Sequence, residues 1–295
     1  MFPKFLPSTA QQLTEAASIA LAQQIQQEAI ATPLSDQPIL TCYTRQGAGE
    51  RAILLLHGFD SSLMEFRRLM PLLAAHHQTW AVDLLGFGFT ERQAGLAFSA
   101  TEIKRHLFHT WKTLINKPVV LIGASMGGAV AIDFALSHPD AVETLILLDS
   151  AGPANGPNMG RFLVPPLGFL ATEFLKNPRV RQEISKAAYF DKTFATADAA
   201  CCAALHLMSP DWSRAMIAFT KCGGYNLLSQ EAIAHIQQPT LILWGQNDKI
   251  LGTADATKFE AAIPHSKLIW LENCGHVPHL EKPHDVAHHI LNFCS

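Results

Sequence analysis

The chain has 295 residues, a formal net charge of −3, and 48% hydrophobic against 16% charged side chains. That length suits one large α/β unit, and the small charged fraction fits strands buried on both faces. Lys and Arg nowhere cluster densely enough to neutralise a run of phosphates, so nucleic acid is excluded as an expected partner. No segment reaches the ~20 apolar residues that a membrane span requires.

From Thr9 to Gln24 the apolar positions Leu13, Ala16, Ala17, Ala20 and Leu21 mark one helix face. Lys4 is the only basic residue before position 30, and the apolar stretch Ser18–Ala22 sits between Gln and Glu, so the segment lacks a signal peptide's shape. The cysteines Cys42, Cys201, Cys202, Cys222, Cys274 and Cys294 form no CxxC pair, which argues against a zinc or redox motif. Buried thiols in a soluble cytoplasmic protein are the expectation, with no metal and no cofactor.

Two extended segments, Ile25–Leu34 and Pro38–Arg45, read as a hairpin. A strand-then-helix rhythm follows, which predicts βαβ units and a mostly parallel sheet. The predicted strands are Ala52–Leu56, Thr79–Asp83, Val119–Gly123, Thr144–Leu148, Thr240–Trp244 and Lys267–Leu271. The predicted helices are Ser62–Ala75, Ser99–Asn116, Met126–Ser137, Thr253–Ile263 and Pro278–Phe293. The interval from Ser150 to Gln238 breaks the rhythm. It opens on Gly152, Pro153, Gly156, Pro157 and Gly160 and continues as short helices, as an inserted lid would. The expected organisation is an N-terminal helix and first strand (1–36), a first core part (37–150), a helical lid (151–238) and a second core part (239–295).

Three places carry chemistry. Strand residues 119–122 run into Gly123-Ala124-Ser125-Met126-Gly127 and directly into a helix. A turn that tight strains the serine backbone and exposes Oγ, and it tolerates only small residues two positions to either side. After an earlier strand, His57-Gly58-Phe59 offers a loop whose N–H groups could hold a developing oxyanion. The expected donors are the backbone N–H groups of Phe59 and Met126, while His57 is expected to brace the loop. Near the C-terminus, Asp248 and His276 each follow a strand. A serine needs a base, and the base needs a carboxylate to fix its tautomer, so Ser125, His276 and Asp248 form the expected catalytic set. Asp149 also ends a strand and is the rival acid, whereas Asp83 is expected to cap a turn. His76/His77 and His288/His289 are adjacent on helices and point apart, and the pair His284 and His288 lacks an intervening acid, so no metal site is expected.

These segments, with Asp83-Leu84-Leu85-Gly86-Phe87-Gly88, Trp244-Gly245-Gln246-Asn247-Asp248 and Gly275-His276-Val277-Pro278-His279-Leu280-Glu281-Lys282-Pro283, resemble the α/β-hydrolase superfamily from about Pro38 to Phe293. The branch they look most like holds small-molecule esterases and carbon–carbon hydrolases of ring-cleavage products. The resemblance implies the α/β-hydrolase fold, with about eight strands, a helical lid after the sixth, and a cofactor-free Ser-His-Asp mechanism. Ser125 stands where haloalkane dehalogenases and epoxide hydrolases have aspartate. Val277 stands where the carbon–carbon hydrolases typically have tryptophan. The segment from Trp80 to Gly88 is similar to segments of pigment-ester hydrolases, which brings prenyl or phytyl esters among the candidate substrates.

Three functions are open to such a chain: a serine esterase acting on a small-to-medium apolar ester, a carbon–carbon hydrolase of a diketone-like compound, and a slow-turnover receptor on the same fold. Phe162, Leu163, Val164, Leu167, Phe169, Leu170, Phe174, Leu175, Leu205, Leu207, Met208, Met216 and Phe219 make the lid apolar and favour the first. No charged anchor for a polar substrate stands out.

Overall fold

In the computed structural model, which describes residues 1–152, 167–226 and 228–295, the apolar runs become the middle of one eight-stranded sheet. Its strands are β1 (Gln26–Ile30), β2 (Ile39–Gln46), β3 (Ala52–Leu56), β4 (Gln78–Val82), β5 (Val119–Ala124), β6 (Val142–Leu148), β7 (Thr240–Gly245) and β8 (Ser266–Leu271). Their order is β1-β2-β4-β3-β5-β6-β7-β8. β1 pairs antiparallel with β2, as does β2 with β4, and all other pairings are parallel. The predicted hairpin and parallel sheet are therefore both present.

Alternation decides which side chains go where. Leu54, Leu56, Leu121, Leu145 and Ile242 face one layer of the core, and Ile53, Leu55, Val120, Ile146 and Leu241 face the other. Each fully buried Leu or Ile contributes roughly 1.5–3 kcal/mol, so a strand such as β3, buried along its whole length, has no solvent face.

The helices are α1 (Ala16–Gln23), α2 (Met70–Ala74), α3 (Ala100–Leu114), α4 (Met126–Ser137), α5 (Leu167–Lys176), α6 (Pro178–Ala188), α7 (Ala197–Ala204) and α8 (Trp212–Lys221). α9 (Gln230–Ile233), α10 (Ala254–Ala262), α11 (Pro278–Glu281) and α12 (Pro283–Phe293) follow. Leu21 of α1, Leu73 of α2 and Ile290 of α12 cover one sheet face, while Leu107 of α3, Phe134 of α4 and Phe259 of α10 cover the other. Between β6 and β7 the described residues hold helices and no strand. No helix among them is long and apolar enough to cross a membrane.

Three predicted helices are each divided, for identifiable reasons. The stretch Thr9–Gln24 is a 3-10 turn, Ser8–Gln12, followed by α1. The break falls where the Thr14 and Glu15 N–H groups donate to the Asp198 carboxylate of α7 instead of to a helical carbonyl. Ser18 Oγ also donates to Asp198, and Arg68 forks onto Glu15, so the N-terminal segment fastens α7 to the core. Ser62–Ala75 divides into a 3-10 turn, Leu63–Phe66, and α2. Pro278–Phe293 divides at Lys282 (φ −129°, ψ 47°), because a residue preceding proline disfavours the helical region.

Candidate active site

The turn after β5 is as tight as its composition demands. A Cβ on Gly123 would lie 2.2 Å from the Gly127 carbonyl oxygen, and one on Gly127 would lie 2.1 Å from that of Leu56. Between them Ser125 is held at φ 53°, a left-handed conformation that a non-glycine residue adopts only when its surroundings over-determine it. Those surroundings are the Ser125 N–H donating to Leu148 O at 3.0 Å, and Ser125 O accepting from Gly128 and Ala151. The serine is thus pinned at the C-terminal end of the sheet with Oγ facing outward.

His276 Nε2 lies 3.0 Å from Ser125 Oγ, and His276 Nδ1 lies 2.8 Å from Asp248 Oδ2. Burial pushes the Asp248 carboxyl up. The hydrogen bond and attraction of His276, with the N–H groups of Ile250 and Leu251 on Oδ1, more than offset this and hold it below the usual carboxylate range. An ionised Asp248 can only accept, so it fixes the proton on Nδ1 and leaves the Nε2 lone pair for the serine hydroxyl. The His276 backbone is itself held by α6: its N–H donates to Ala188 O at 2.7 Å. Glu281 of α11 binds the N–H of Gly275 at 2.8 Å together with those of Phe190 and Asp191. Glu281, whose place in the C-terminal motif gave no hint of a role, thus ties the loop carrying His276 to the segment after α6.

The rival acid is close by but differently placed. Asp149 is fully buried, accepts the Gly245 N–H at 3.0 Å through Oδ1, and leaves Oδ2 without a partner. Burial, followed by the charge of Asp248, raises its carboxyl well above the usual range. No hydrogen bond joins it to His276. Ligand-capable atoms of Asp149, Asp248 and His276 lie within 4.8 Å of one another, and this is the one such grouping among the described residues.

Asp83 and His57 are scaffolding. Asp83 accepts the N–H groups of Leu63 and Phe89 at 2.7 Å each. His57, which burial lowers to about 4, accepts the Leu84 N–H at Nε2 and donates from Nδ1 to Gly58 O at 2.8 Å. Together they lock the loop that carries Phe59. The N–H groups of Phe59 and Met126 have no acceptor among the described residues, and the Phe59 ring stacks on Phe219 at 5.8 Å.

Above Ser125 lies a cavity of about 190 Å³. Of the apolar side chains singled out in the sequence, Phe162, Leu163 and Val164 lie outside the described residues, and none of the others, Leu175 included, lines the cavity. Leu205, Leu207, Met216 and Phe219 are buried in the packing, while Leu167, Phe169, Leu170, Phe174 and Met208 are exposed. The inserted segment contributes the small Ala188, Ala199 and Ala203 together with the larger Arg181, Ile184 and Tyr189. Another part of the lining holds Glu65, Arg67 and His279, so ionisable groups do reach the cavity, Arg67 among them as a cation. Burial lifts Glu65 to about 7 and, with His276 and Arg67, lowers His279 to about 3. Only the 3-10 turn reveals that Arg67 points inward while Arg68 points at Glu15.

The profile of the alpha/beta hydrolase family matches residues 53–289. An alpha/beta hydrolase domain-containing protein of Arabidopsis thaliana, VTE7, is 31% identical, covering 100% of this chain and 91% of that protein. A 2-hydroxy-6-oxo-6-(2'-aminophenyl)hexa-2,4-dienoic acid hydrolase of Metapseudomonas resinovorans is 29% identical, covering 86% of this chain and 87% of that one. Among solved structures, a thermophilic esterase from Thermogutta terrifontis superposes with a TM-score of 0.76 at 24% identity, covering 91% and 98% of the two chains.

Proposed function

The chain belongs to the alpha/beta hydrolase family, and from that premise we propose that it is a serine hydrolase cleaving an ester of a small-to-medium compound with an apolar body. The observation that carries this reading is the continuous relay Asp248–His276–Ser125, with links of 2.8 and 3.0 Å, opening onto a cavity. In this mechanism His276 Nε2 takes the Ser125 proton as Oγ attacks the ester carbonyl. The tetrahedral oxyanion is held by the N–H groups of Phe59 and Met126, which are otherwise uncommitted. Its collapse expels the alcohol, which takes the proton from His276, and leaves an acyl-enzyme on Ser125. Water, deprotonated by His276, then releases the acid.

The inserted segment, 151–238, serves as a lid over the two core parts, 37–150 and 239–295. Helices α6 and α7 supply one side of the cavity, and α6 also holds the His276 backbone. Closing such a roof excludes water and strengthens the oxyanion donors. The six cysteines are all free, which fits a reducing compartment such as the cytoplasm.

Hydrolysis of a carbon–carbon bond in a diketone-like substrate is the second reading, favoured by the likeness to the dienoic acid hydrolase. The deciding experiment is a screen of esters graded in acyl and alcohol length beside a ring-cleavage diketone, with wild type and Ser125→Ala. Ester turnover that depends on Ser125 supports the first reading. Turnover of the diketone alone replaces it with the second.

A further inference from the structure

Two arginines are buried among the described residues, and they are treated differently. Arg92 donates from Nε to Gly86 O, from Nη2 to Gly88 O and from Nη1 to Pro210 O, at 3.1, 2.7 and 3.4 Å. Its charge is dispersed over three carbonyls, and its role is to fasten loops. Arg67 is only 2% exposed, yet its one hydrogen bond is from Nη1 to Met64 O at 3.4 Å, and Nε and Nη2 have no partner among the described residues. Those two nitrogens form the side edge of the guanidinium, whose parallel N–H groups match the two oxygens of a carboxylate. The neighbouring acids are committed elsewhere: Glu15 to Arg68, Asp60 to Arg181 and His206, Asp198 to Thr14, Glu15 and Ser18, and Glu65 to the Gly58 N–H. A guanidinium cannot shed its proton in a protein, so burying one without an acceptor is costly. Arg67 lines the same cavity as Ser125.

We propose that the free edge of Arg67 is a carboxylate-binding subsite, so that the preferred substrate is an ester whose apolar body ends in a carboxylate remote from the scissile bond. This rests on ester hydrolysis at Ser125 and names the substrate class for it. A monoanion suits the charge balance better than a phosphate dianion: Arg181 is neutralised by Asp60, and His279 is uncharged. Tyr189 lines the same cavity beside Arg67, whose charge opposes the rise that burial imposes on the Tyr189 hydroxyl. That hydroxyl would be a second donor to a carboxylate bound at the guanidinium edge.

The test compares mono-p-nitrophenyl esters of linear dicarboxylic acids, from succinate to suberate, with p-nitrophenyl esters of the corresponding monocarboxylic acids. For the best-fitting length, the wild type should show a kcat/KM ratio, carboxylate over neutral, of at least ~10. Arg67→Met should lower that ratio by on the order of 10²-fold, the worth of hydrogen bonds to a charged group, mainly through KM. Arg67→Lys, which keeps the charge without the planar edge, should lose part of it. Should the methionine variant fail to fold, the wild-type ratio and the lysine variant decide. A wild-type ratio below one, or a ratio unmoved in either variant, overturns the subsite. In parallel, calorimetric titration of Ser125→Ala with adipate, with and without Arg67→Met, reads binding alone. Arg67-dependent binding of adipate in a protein that turns over no ester would uphold the subsite and defeat the ester reading.

Discussion

The two walls of the cavity obey opposite rules. Along the strand ends, Ser125, His276 and Asp248 satisfy one another, and Asp248 takes two backbone N–H groups besides. Across the gap, Arg67 Nε and Nη2 and both ring nitrogens of His279 have no hydrogen-bond partner among the described residues. Buried polar atoms in native proteins are nearly all bonded, so a cluster of exceptions beside a reactive group calls for a partner from outside. The difference separates the group that performs chemistry, which must be preorganised without substrate, from the group that recognises, which is completed by it. Beside Asp248, Asp149 Oδ2 also lacks a hydrogen-bond partner among the described residues, and there burial and the neighbouring Asp248 raise the carboxyl pKa, which lowers the cost.

The largest effect expected is at the acid. Asp248→Asn removes the carboxylate that sets the His276 tautomer and should lower kcat by on the order of 10⁴-fold. Asp149→Asn replaces a neutral carboxyl by a neutral amide and should cost far less. Steady-state kinetics on one good ester reads both, and the reverse ranking would make Asp149 the acid.

The contrast between bonded and unbonded groups has a counterpart in stability. His106 and His279 are both buried imidazoles lowered to about 3 by burial. His106 meets Thr41 Oγ1 at 2.9 Å, whereas His279 makes no hydrogen bond among the described residues, its Nε2 standing 3.6 Å from Glu65 Oε1. His106→Leu removes a buried hydrogen bond, although Thr41 Oγ1 keeps Ile39 O at 3.1 Å. It should destabilise by roughly 0.5–1.5 kcal/mol, and His279→Leu by less. Both imidazoles have folded pKa values depressed below 6.5, so they favour the fold above that pH and weaken it as pH falls toward 3. Each substitution should therefore flatten the acid loss by up to ~1.4 kcal/mol per pH unit in that window. Urea titrations at pH 7 and pH 5 measure both effects, and equal losses at pH 7 would dissolve the distinction.

Smaller effects follow along the acyl chain. Each methylene buried in the cavity is worth up to ~0.8 kcal/mol, a few-fold in kcat/KM, until the space is filled. Activity on neutral esters should climb from acetyl to medium chains and then level or fall. A flat profile, or one peaked at acetate, would remove the apolar body from the substrate description. The smallest effect should be that of chelation: although Asp149, Asp248 and His276 have ligand-capable atoms within 4.8 Å, exhaustive dialysis against EDTA should leave ester turnover unchanged. A loss restored by a divalent cation would convert the acid group into a metal site.

The first wall was readable in the sequence because each of its parts is a contiguous signal. Gly123 to Gly127 encodes a turn, and β5, β7 and β8 are apolar runs whose ends place Ser125, Asp248 and His276 on one edge. The second wall was not. Arg67 and Arg68 are adjacent, and their opposite fates depend on a 3-10 turn whose register periodicity does not specify. The alanines of α6 and α7 that line the cavity carry no signal of their own, and the larger apolar residues are either consumed by packing, as Leu207 and Met216 are, or turned to solvent, as Phe169 and Phe174 are. Nor could the N-terminal helix reveal its role, since Asp198, which interrupts it, lies more than 180 residues away.

The central claim is that Ser125 alone is activated, by His276, toward electrophilic carbonyl-like centres. Intact-protein mass spectrometry after exposure to a fluorophosphonate tests it most directly, because the base and oxyanion donors that serve an ester also serve attack at phosphorus. One phosphonyl adduct per wild-type chain is expected, mapped by digestion to Ser125, with labelling abolished in Ser125→Ala and greatly slowed in His276→Ala. A well-folded wild type that takes no label, or a Ser125→Ala chain labelled as fast as the wild type, would contradict it.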